Sequence, residues 1–252
     1  MFWNALGSVQ ISQRNKVMKY TYLIIDFFTI IVPFIFSFHP KNRFIVNWKA
    51  IFTSILVVAI PFVVWDAWFT EISVWGFNDN YLIGLRFFGL PIEEILFFVC
   101  IPYACMFTFH TITPLVKPSS KAKLVNIISF VLGLLFSIIS FLNLQQWYTA
   151  LSFGFLAVTI ILVGTFLSPK WMGKFYLSYL FLLGPFFVVN GILTGTGIES
   201  PVVWYNPNEI IGFRLLTIPI EDMFYKMLLI LLNVVVYEYL KSKWPSQFVS
   251  ST

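Results

Sequence analysis

Two copies of a proline–isoleucine–acid–acid segment are the residues best suited to chemistry in this sequence. They are Pro91-Ile92-Glu93-Glu94 and Pro219-Ile220-Glu221-Asp222, offset by 128 residues, and Arg86 and Arg214 precede them at matched spacing. Proline suits the start of a helix, and the helix dipole favours carboxylates in the first turn. Carboxyl groups in two different environments can act as general acid and general base. The candidate catalytic residues are Glu93, Glu94, Glu221 and Asp222.

The composition indicates the elements that position these acids. Of 252 residues, 59% are hydrophobic and 11% are charged, whereas soluble domains have about 45–50% apolar and about 25% charged residues. A soluble enzyme, a disordered chain and a disulfide scaffold are therefore excluded. The sequence predicts an all-α integral membrane protein, with Cys100 and Cys105 as buried packing residues.

Seven membrane spans of roughly 20 residues are predicted from the apolar runs. Lys and Arg residues near the span ends are more numerous on one side of the membrane. That side holds the breaks after spans 1, 3 and 5 and the C-terminus. The positive-inside rule then places the N-terminus outside and the C-terminus in the cytoplasm of a multi-pass cell-membrane protein. The predicted spans are 20–38, 50–69, 87–113, 124–142, 148–167, 175–194 and 214–240.

The self-similarity extends well beyond the acid motifs. Asn78 and Asn206 are also 128 residues apart, each following a tryptophan, and Asp66 matches Asn190 at an offset of 124. Three spans invert orientation and a fourth restores it, so we predict two parallel three-helix repeats joined by a linker helix. The predicted boundaries are 1–17 for an N-terminal extension, 18–115 for the first repeat, 116–145 for the linker span, 146–243 for the second repeat and 244–252 for a tail.

Polar residues inside a membrane are costly, which makes those near the motifs candidates for a supporting role. Lys226 lies four residues after Asp222, on the same helix face, where the first repeat has Phe98. We therefore expect the Glu221/Asp222 pair to stay ionised beside Lys226 or Arg214, and the Glu93/Glu94 pair, among phenylalanines, to stay neutral more readily. Adjacent helix positions differ by about 100°, so at most one acid of each pair points straight into a shared cavity. The further supporting candidates are Asp66, Asn190, Arg86, Trp75, Asn78, Trp204 and Asn206.

No cofactor is predicted. The His, Cys and carboxylate residues lack metal-ligand spacing, and Gly195-Thr196-Gly197 does not fit a dinucleotide fingerprint. The function that these exclusions leave is acid–base chemistry on a lipid-soluble substrate within the bilayer. No nucleic-acid partner is predicted. Two other classes stay open. One is a small transporter with the same three-plus-one-plus-three plan. The other is a photoreceptor with Lys226 in the last span.

These motifs resemble the membrane-embedded, flavin-independent lycopene cyclases, in the fused tandem form of the heterodimeric bacterial and archaeal enzyme. They also resemble the cyclase domain of fungal bifunctional carotenoid enzymes. The resemblance covers roughly residues 18–242. It rests on three stretches in each half of the chain. In the first half they are Trp65 through Thr70, Val74 through Asn78, and Leu90 through Phe98; in the second half they are Asn190 through Gly195, Pro201 through Asn206, and Thr217 through Tyr225.

The resemblance implies a lycopene β-cyclase. It would convert the ψ ends of lycopene to β-ionone rings, giving γ-carotene and β-carotene through a carbocation without redox change, and Phe97 and Tyr225 would join the substrate pocket. Other carotenoid enzymes are implied as partners. We expect one composite site built from both repeats, with one site per end as the alternative. A hydratase, or a cyclase of another carotenoid, would share the first protonation.

Overall fold

Seven helices form the framework of residues 18–114 and 122–244, the parts of the chain described by the structure, a computed structural model. The extension 1–17 and the tail from 245 onward lie outside the described residues. Six helices are long and apolar enough to cross a membrane, and the first has 17 residues. Helices satisfy their own backbone hydrogen bonds, as lipid requires. They are α1 Thr21–Ser37, α2 Trp48–Glu71, α3 Ile92–Ile112, α4 Ala122–Leu142, α5 Trp147–Ile160, α6 Met172–Leu193 and α7 Ile220–Lys243, and a π-helix Ile161–Leu167 continues α5.

A two-stranded antiparallel pairing joins the two halves of the chain. Strand β1, Trp75–Phe77, pairs with β4, Val203–Tyr205, with Gly76 opposite Trp204 at the centre. Adding 128 to each β1 residue number gives its counterpart in β4, so the pairing is unchanged when the halves are exchanged. A pseudo-two-fold axis therefore passes between Gly76 and Trp204. Both loops lie on one face, and the predicted all-α fold of two parallel repeats is confirmed.

Gly76 is required by this close approach. A Cβ atom at Gly76 would lie 2.4 Å from the Trp204 indole, a distance that no side chain can occupy without displacing the ring. The indole covers the crossing point of the two strands from outside. Trp204 therefore packs at the junction between the repeats, whereas the sequence placed it with the residues that support the acids.

The third and seventh helices begin later than the sequence predicts. The predicted starts were 87 and 214, but α3 begins at Ile92 and α7 at Ile220. A short hairpin precedes each helix. In the first repeat β2, Arg86–Phe87, pairs with β3, Leu90–Pro91; in the second β5, Arg214–Leu215, pairs with β6, Ile218–Pro219. The tight turn between β2 and β3 has positive φ angles at Phe88 and Gly89, which no helix tolerates. Hydropathy does not register such a turn.

Helices α3 and α7 occupy the centre of the bundle. Helix α3 packs against α1, α2 and α6, while α7 packs against α5, α2 and α6, and α4 packs on α5. Exchanging the repeats converts the α1–α3 contact into α5–α7 and the α2–α7 contact into α6–α3. The buried core includes Phe98, Leu156 and Leu228. Large apolar side chains such as Ile60 face outward, the pattern expected when the surrounding solvent is lipid.

Candidate active site

The four motif acids fall into two classes by the direction of their side chains. Glu94 and Asp222 line a cavity of about 630 Å³ between the two repeats. Glu93 and Glu221 turn toward the preceding loops, where their Oε1 atoms accept hydrogen bonds from the backbone N–H groups of Ile83 and Ile211, each at 2.7 Å. All four acids are buried. One acid of each pair thus faces the cavity and its neighbour holds a loop, as the 100° step per helical residue requires.

Asp222 accepts three hydrogen bonds from side chains that surround the cavity. Tyr148 Oη donates to Oδ1 at 2.6 Å, and Asn190 Nδ2 and Tyr205 Oη donate to Oδ2 at 2.5 Å and 2.9 Å. Donors to a carboxylate stabilise its charged form. Burial, reinforced by the charge of Asp222, raises the pKa of Tyr205, so this phenol keeps the proton that it donates. The surroundings of Asp222 therefore suit a carboxylate.

Glu94 has a sparser hydrogen-bonding environment. Its Oε2 atom accepts one hydrogen bond, from Tyr22 Oη at 2.5 Å, and Glu94 interacts electrostatically with Asp222 across the cavity. Nearby, Asp66 Oδ1 accepts a hydrogen bond from Trp75 Nε1 at 2.5 Å. A buried carboxylate with few donors is costly. The surroundings of Glu94 therefore suit a neutral carboxylic acid better than those of Asp222 do.

Aromatic rings form much of the cavity wall around these acids. The Trp75 ring centroid lies 4.9 Å from that of Tyr148 and 6.0 Å from that of Tyr225, both in edge-on contact. Phe97, at the position equivalent to Tyr225, also lines the cavity. Along α3 the lining runs from Glu94 to Thr108, a span of about 21 Å at 1.5 Å per residue. The cavity thus combines the carboxyl groups of Glu94, Asp222 and Asp66 at one end with a long, mainly apolar limb.

The structure brings together eight of the residues predicted from the sequence. All of them line the cavity: Asp66, Trp75, Glu94, Phe97, Asn190, Asp222, Tyr225 and Lys226. The matched positions Asp66 and Asn190 differ in their partners, because Asn190 donates directly to Asp222 whereas Asp66 accepts from Trp75.

The two motif arginines do not reach the acids, and the expectation that Arg214 balances Asp222 is wrong. Arg86 Nη2 forms an ion pair with Asp79 at 2.6 Å on the exposed surface. Arg214 Nη1 donates to the backbone carbonyl of Thr217 at 2.6 Å within its own hairpin. Each arginine is exposed on a strand before the helix, which keeps its guanidinium at the membrane surface.

The expected pairing of Lys226 with Asp222 is also not formed. Lys226 Nζ lies 3.5 Å from the carbonyl oxygen of Leu182 on α6 and 4.6 Å from the ring centre of Phe186. The oxygens of Asp222 already have three other donors. Helical spacing permits the i, i+4 contact but does not impose it, and the flexible lysine stem extends to α6 instead.

Asn78 and Asn206 hold the loops rather than the cavity. The Oδ1 atoms accept backbone N–H groups two residues ahead, from Asn80 and Asn208, each at 3.1 Å. Asn78 Nδ2 also donates to Ser200 Oγ in the other repeat at 3.0 Å. These asparagines are therefore turn residues that fix the two loops against each other.

Sequence reasoning missed three tyrosines that donate to the cavity acids. Tyr22 and Tyr148 occupy the second positions of α1 and α5 and are 126 residues apart, and Tyr205 lies in β4. The available signal was this third offset of 126, which lies between the offsets of 124 and 128 found for the other matched residues. It was hidden because α1 and α5 otherwise share little sequence, and Asp26 of α1 has Ser152 at the matched position of α5.

Comparison with known proteins identifies one family. A family model described as Lycopene cyclase matches residues 19–112 and 145–240, one segment for each repeat. No curated protein and no solved structure matched the chain.

Proposed function

The chain belongs to the lycopene cyclase family, and on this premise we propose that it is a lycopene β-cyclase. It converts the ψ ends of lycopene to β-ionone rings, giving γ-carotene and then β-carotene, with no redox change and no cofactor. The observation that carries the proposal is the placement of Glu94 and Asp222, one from each repeat, on a single apolar cavity.

The reaction moves one proton from acid to base for each ring. Glu94 donates its proton to C2 of the terminal C1=C2 double bond, which leaves a cation at C1. The C5=C6 double bond attacks C1, so the C1–C6 bond forms and the charge moves to C5. Asp222 then removes the proton from C6, and the electrons of that C–H bond form the C5=C6 double bond of the β ring. Return of the proton from Asp222 to Glu94 completes the cycle.

The unequal hydrogen bonding supports the assignment of Glu94 as the acid and Asp222 as the base. Protonation of carbon needs a neutral acid in a site without bulk water, and Glu94 has one donor. Removal of the final proton needs a carboxylate, and Asp222 has three donors from Tyr148, Asn190 and Tyr205. Glu93 and Glu221, which the sequence pattern also offers as catalysts, are assigned to holding the loops before α3 and α7.

Aromatic rings stabilise the cationic intermediates. The faces of π systems attract cations, with an effect of about 2 kcal/mol where the cation is desolvated. Trp75, Phe97 and Tyr225 line the cavity beside the acids. Trp75 is also oriented by its hydrogen bond to Asp66, so these two residues act as a pair that positions the indole.

One composite site favours treatment of the two ends in turn. Lycopene is long enough to reach most of the way across a bilayer about 30 Å thick, and both motif loops lie on one face. Its ends therefore cannot both reach Glu94 while the molecule stands upright. The excess of Lys and Arg on the opposite face supports an orientation with the acids near the outer surface of the cell membrane. Other carotenoid enzymes are natural neighbours for this chain.

A pigment analysis tests the proposal. The chain is expressed in bacteria that accumulate lycopene, and the extract is separated by HPLC with mass detection. We expect γ-carotene and β-carotene, both with the mass of lycopene. A product one water heavier for each modified end would identify a hydratase. Unchanged lycopene, with the protein found in the membrane, would contradict the proposal and favour another carotenoid substrate or the transporter.

A further inference from the structure

The cavity reaches the outer surface of the bundle between α1 and α6. Phe28 on α1 and Val188 on α6 both line the cavity, yet they are 67% and 64% exposed. Ile24 and Pro185 also line the cavity and are exposed. These residues lie within the apolar helices, where the outer surface contacts acyl chains rather than water. The opening therefore faces the lipid from the side.

At the acid end, this crevice is closed toward the aqueous face. Tyr22 and Ile25 on α1 belong to one buried cluster with Leu193 on α6 and Val202 after it. The cluster includes Tyr81 and Leu82 of the loop before α3, and Tyr22 within it donates to Glu94, so it packs the loop against the acid end of the crevice. Entry from water is therefore obstructed, while the side between the two helices below the cluster is open.

The crevice related to it by the pseudo-two-fold axis lies between α5 and α2, and it is filled. The Trp65 and Phe155 rings are in edge-on contact with centroids 5.4 Å apart, and Trp68 and Trp147 make a second such contact at 5.6 Å. Each pair has one ring from α2 and one from α5. Together they occupy the space through which a ligand would enter.

The sequence explains why one crevice is filled and the other is open. With the offset of 124 between α2 and α6, Trp65 corresponds to Val189; with the offset of 126 between α1 and α5, Phe155 corresponds to Thr29. Val189 and Thr29 both line the cavity. Two large rings on one side are thus replaced by two small side chains on the other.

We infer that, of the two related crevices between the described helices, the gap between α1 and α6 is the lateral portal through which a linear polyene hydrocarbon enters the cavity from the bilayer. The identity of the polyene as lycopene rests on the proposed function. Because the twin crevice is filled by Trp65 and Phe155, the second end uses the same portal. The half-cyclised product must therefore withdraw into the lipid and enter again with its other end first.

The inference is tested by placing the large residues of the filled α2–α5 crevice at the matching positions of the open α1–α6 crevice. The double variant Thr29→Phe with Val189→Trp rebuilds the aromatic plug, and the single variant Ile24→Trp narrows the exposed rim without adding volume to the interior. Val32→Trp is the matched control, because Val32 is an exposed residue of α1 that does not line the cavity. Membrane abundance of each variant is measured first, and the single variant carries the test if the double variant does not accumulate.

Two readouts separate the portal from the chemistry. The first is the lycopene that co-purifies per mole of protein from lycopene-containing membranes, and the second is the rate of ring formation. We expect both to fall about tenfold or more in the portal variants, because the added rings occupy the passage, and to stay near wild type in Val32→Trp. Portal variants that accumulate and match the control in retained lycopene would overturn the inference. Wild-type protein that retains lycopene without cyclising it would overturn the proposed function but leave the retention test of the portal decisive.

Discussion

Tyr22 and Tyr148 make equivalent hydrogen bonds in the two repeats. Tyr22 Oη donates to Glu94 at 2.5 Å, and Tyr148 Oη donates to Asp222 at 2.6 Å. The symmetry ends there, because Asp222 has further donors in Asn190 and Tyr205. A duplicated frame thus holds two carboxyl groups in unequal surroundings, which is the requirement for an acid and a base in one cavity.

Removal of the tyrosine donors should lower the rate of cyclisation. Glu94 becomes a carboxylate as it gives up its proton, and Tyr22 donates to it; because an unsatisfied buried acceptor costs about 1–3 kcal/mol, Tyr22→Phe should slow ring formation by about tenfold to a hundredfold. Tyr148→Phe should have a smaller effect, since Asp222 keeps two donors. Tyr103→Phe is the control, because Tyr103 bonds to Ser37 away from the cavity. The rates are measured in proteoliposomes, and an equal loss in the control would contradict a role at the acids.

The loop-holding acids should tolerate an amide. In Glu93→Gln and Glu221→Gln the side-chain oxygen still accepts the N–H groups of Ile83 and Ile211, so the rate should stay within about threefold of wild type. Glu93→Leu removes the acceptor and should lower thermal stability, by about 1–3 kcal/mol in free energy. Activity assays and thermal unfolding in detergent distinguish these outcomes. Complete loss of activity in either glutamine variant would return that acid to the chemistry.

The arginines of the motif should be dispensable for chemistry. The exposed ion pair of Arg86 with Asp79 is worth about 0–1 kcal/mol. Arg214 donates to Thr217 in its own hairpin and lies 5.8 Å from the ring centre of Tyr205, so it contacts a donor to Asp222 rather than the acid itself. Arg86→Gln and Arg214→Gln should therefore change the rate by less than about fivefold. Rates measured at two salt concentrations should respond alike. A hundredfold loss would show that an arginine reaches the acids during turnover.

Lys226→Met tests the absence of an ion pair with Asp222. Lys226 is half-buried and its ammonium group contacts the carbonyl of Leu182 rather than a carboxylate, so an apolar side chain of similar length removes a partly desolvated charge without leaving an opposite charge unpaired, and Met can occupy the space beside Phe186. We expect thermal stability to be unchanged or higher and the rate to remain within about tenfold of wild type. A destabilised protein whose activity returns with Lys226→Arg would indicate that a cation is needed at this position.

The sequence predicted the fold correctly where a physical rule connects the spacing of residues to their position in the structure. Apolar runs of about 20 residues predicted the helices because lipid offers the backbone no other partner. The 128-residue offset predicted two parallel repeats, and the β1–β4 pairing bears this out at Gly76 and Trp204. The family predicted from the motifs is confirmed, including its tandem form, while the relation to fungal enzymes stays a prediction.

Sequence spacing did not determine which partners the site side chains contact or where two of the helices begin. Lys226 had a carboxylate within one helical turn, yet it extends to Leu182 on another helix. Hydropathy predicted a helix from residue 87, but the turn at Phe88 and Gly89 delays its start to Ile92. Tyr22 lies 72 residues from the Glu94 that it contacts, and no local pattern connects the two. Such long-range pairs are set by packing and cannot be obtained from one sequence.

The most direct test of the account compares Glu94→Gln and Asp222→Asn with wild type in proteoliposomes that contain lycopene. Both variants keep the size of the side chain and remove the proton donor or the base. We predict that each lowers the rate of ring formation by about a thousandfold or more, given the usual contribution of acid–base catalysis of about 10²–10⁴ at each step. Thermal unfolding should show that both proteins stay folded. Ring formation at near wild-type rate in either folded variant would contradict the assignment of Glu94 as the acid and Asp222 as the base.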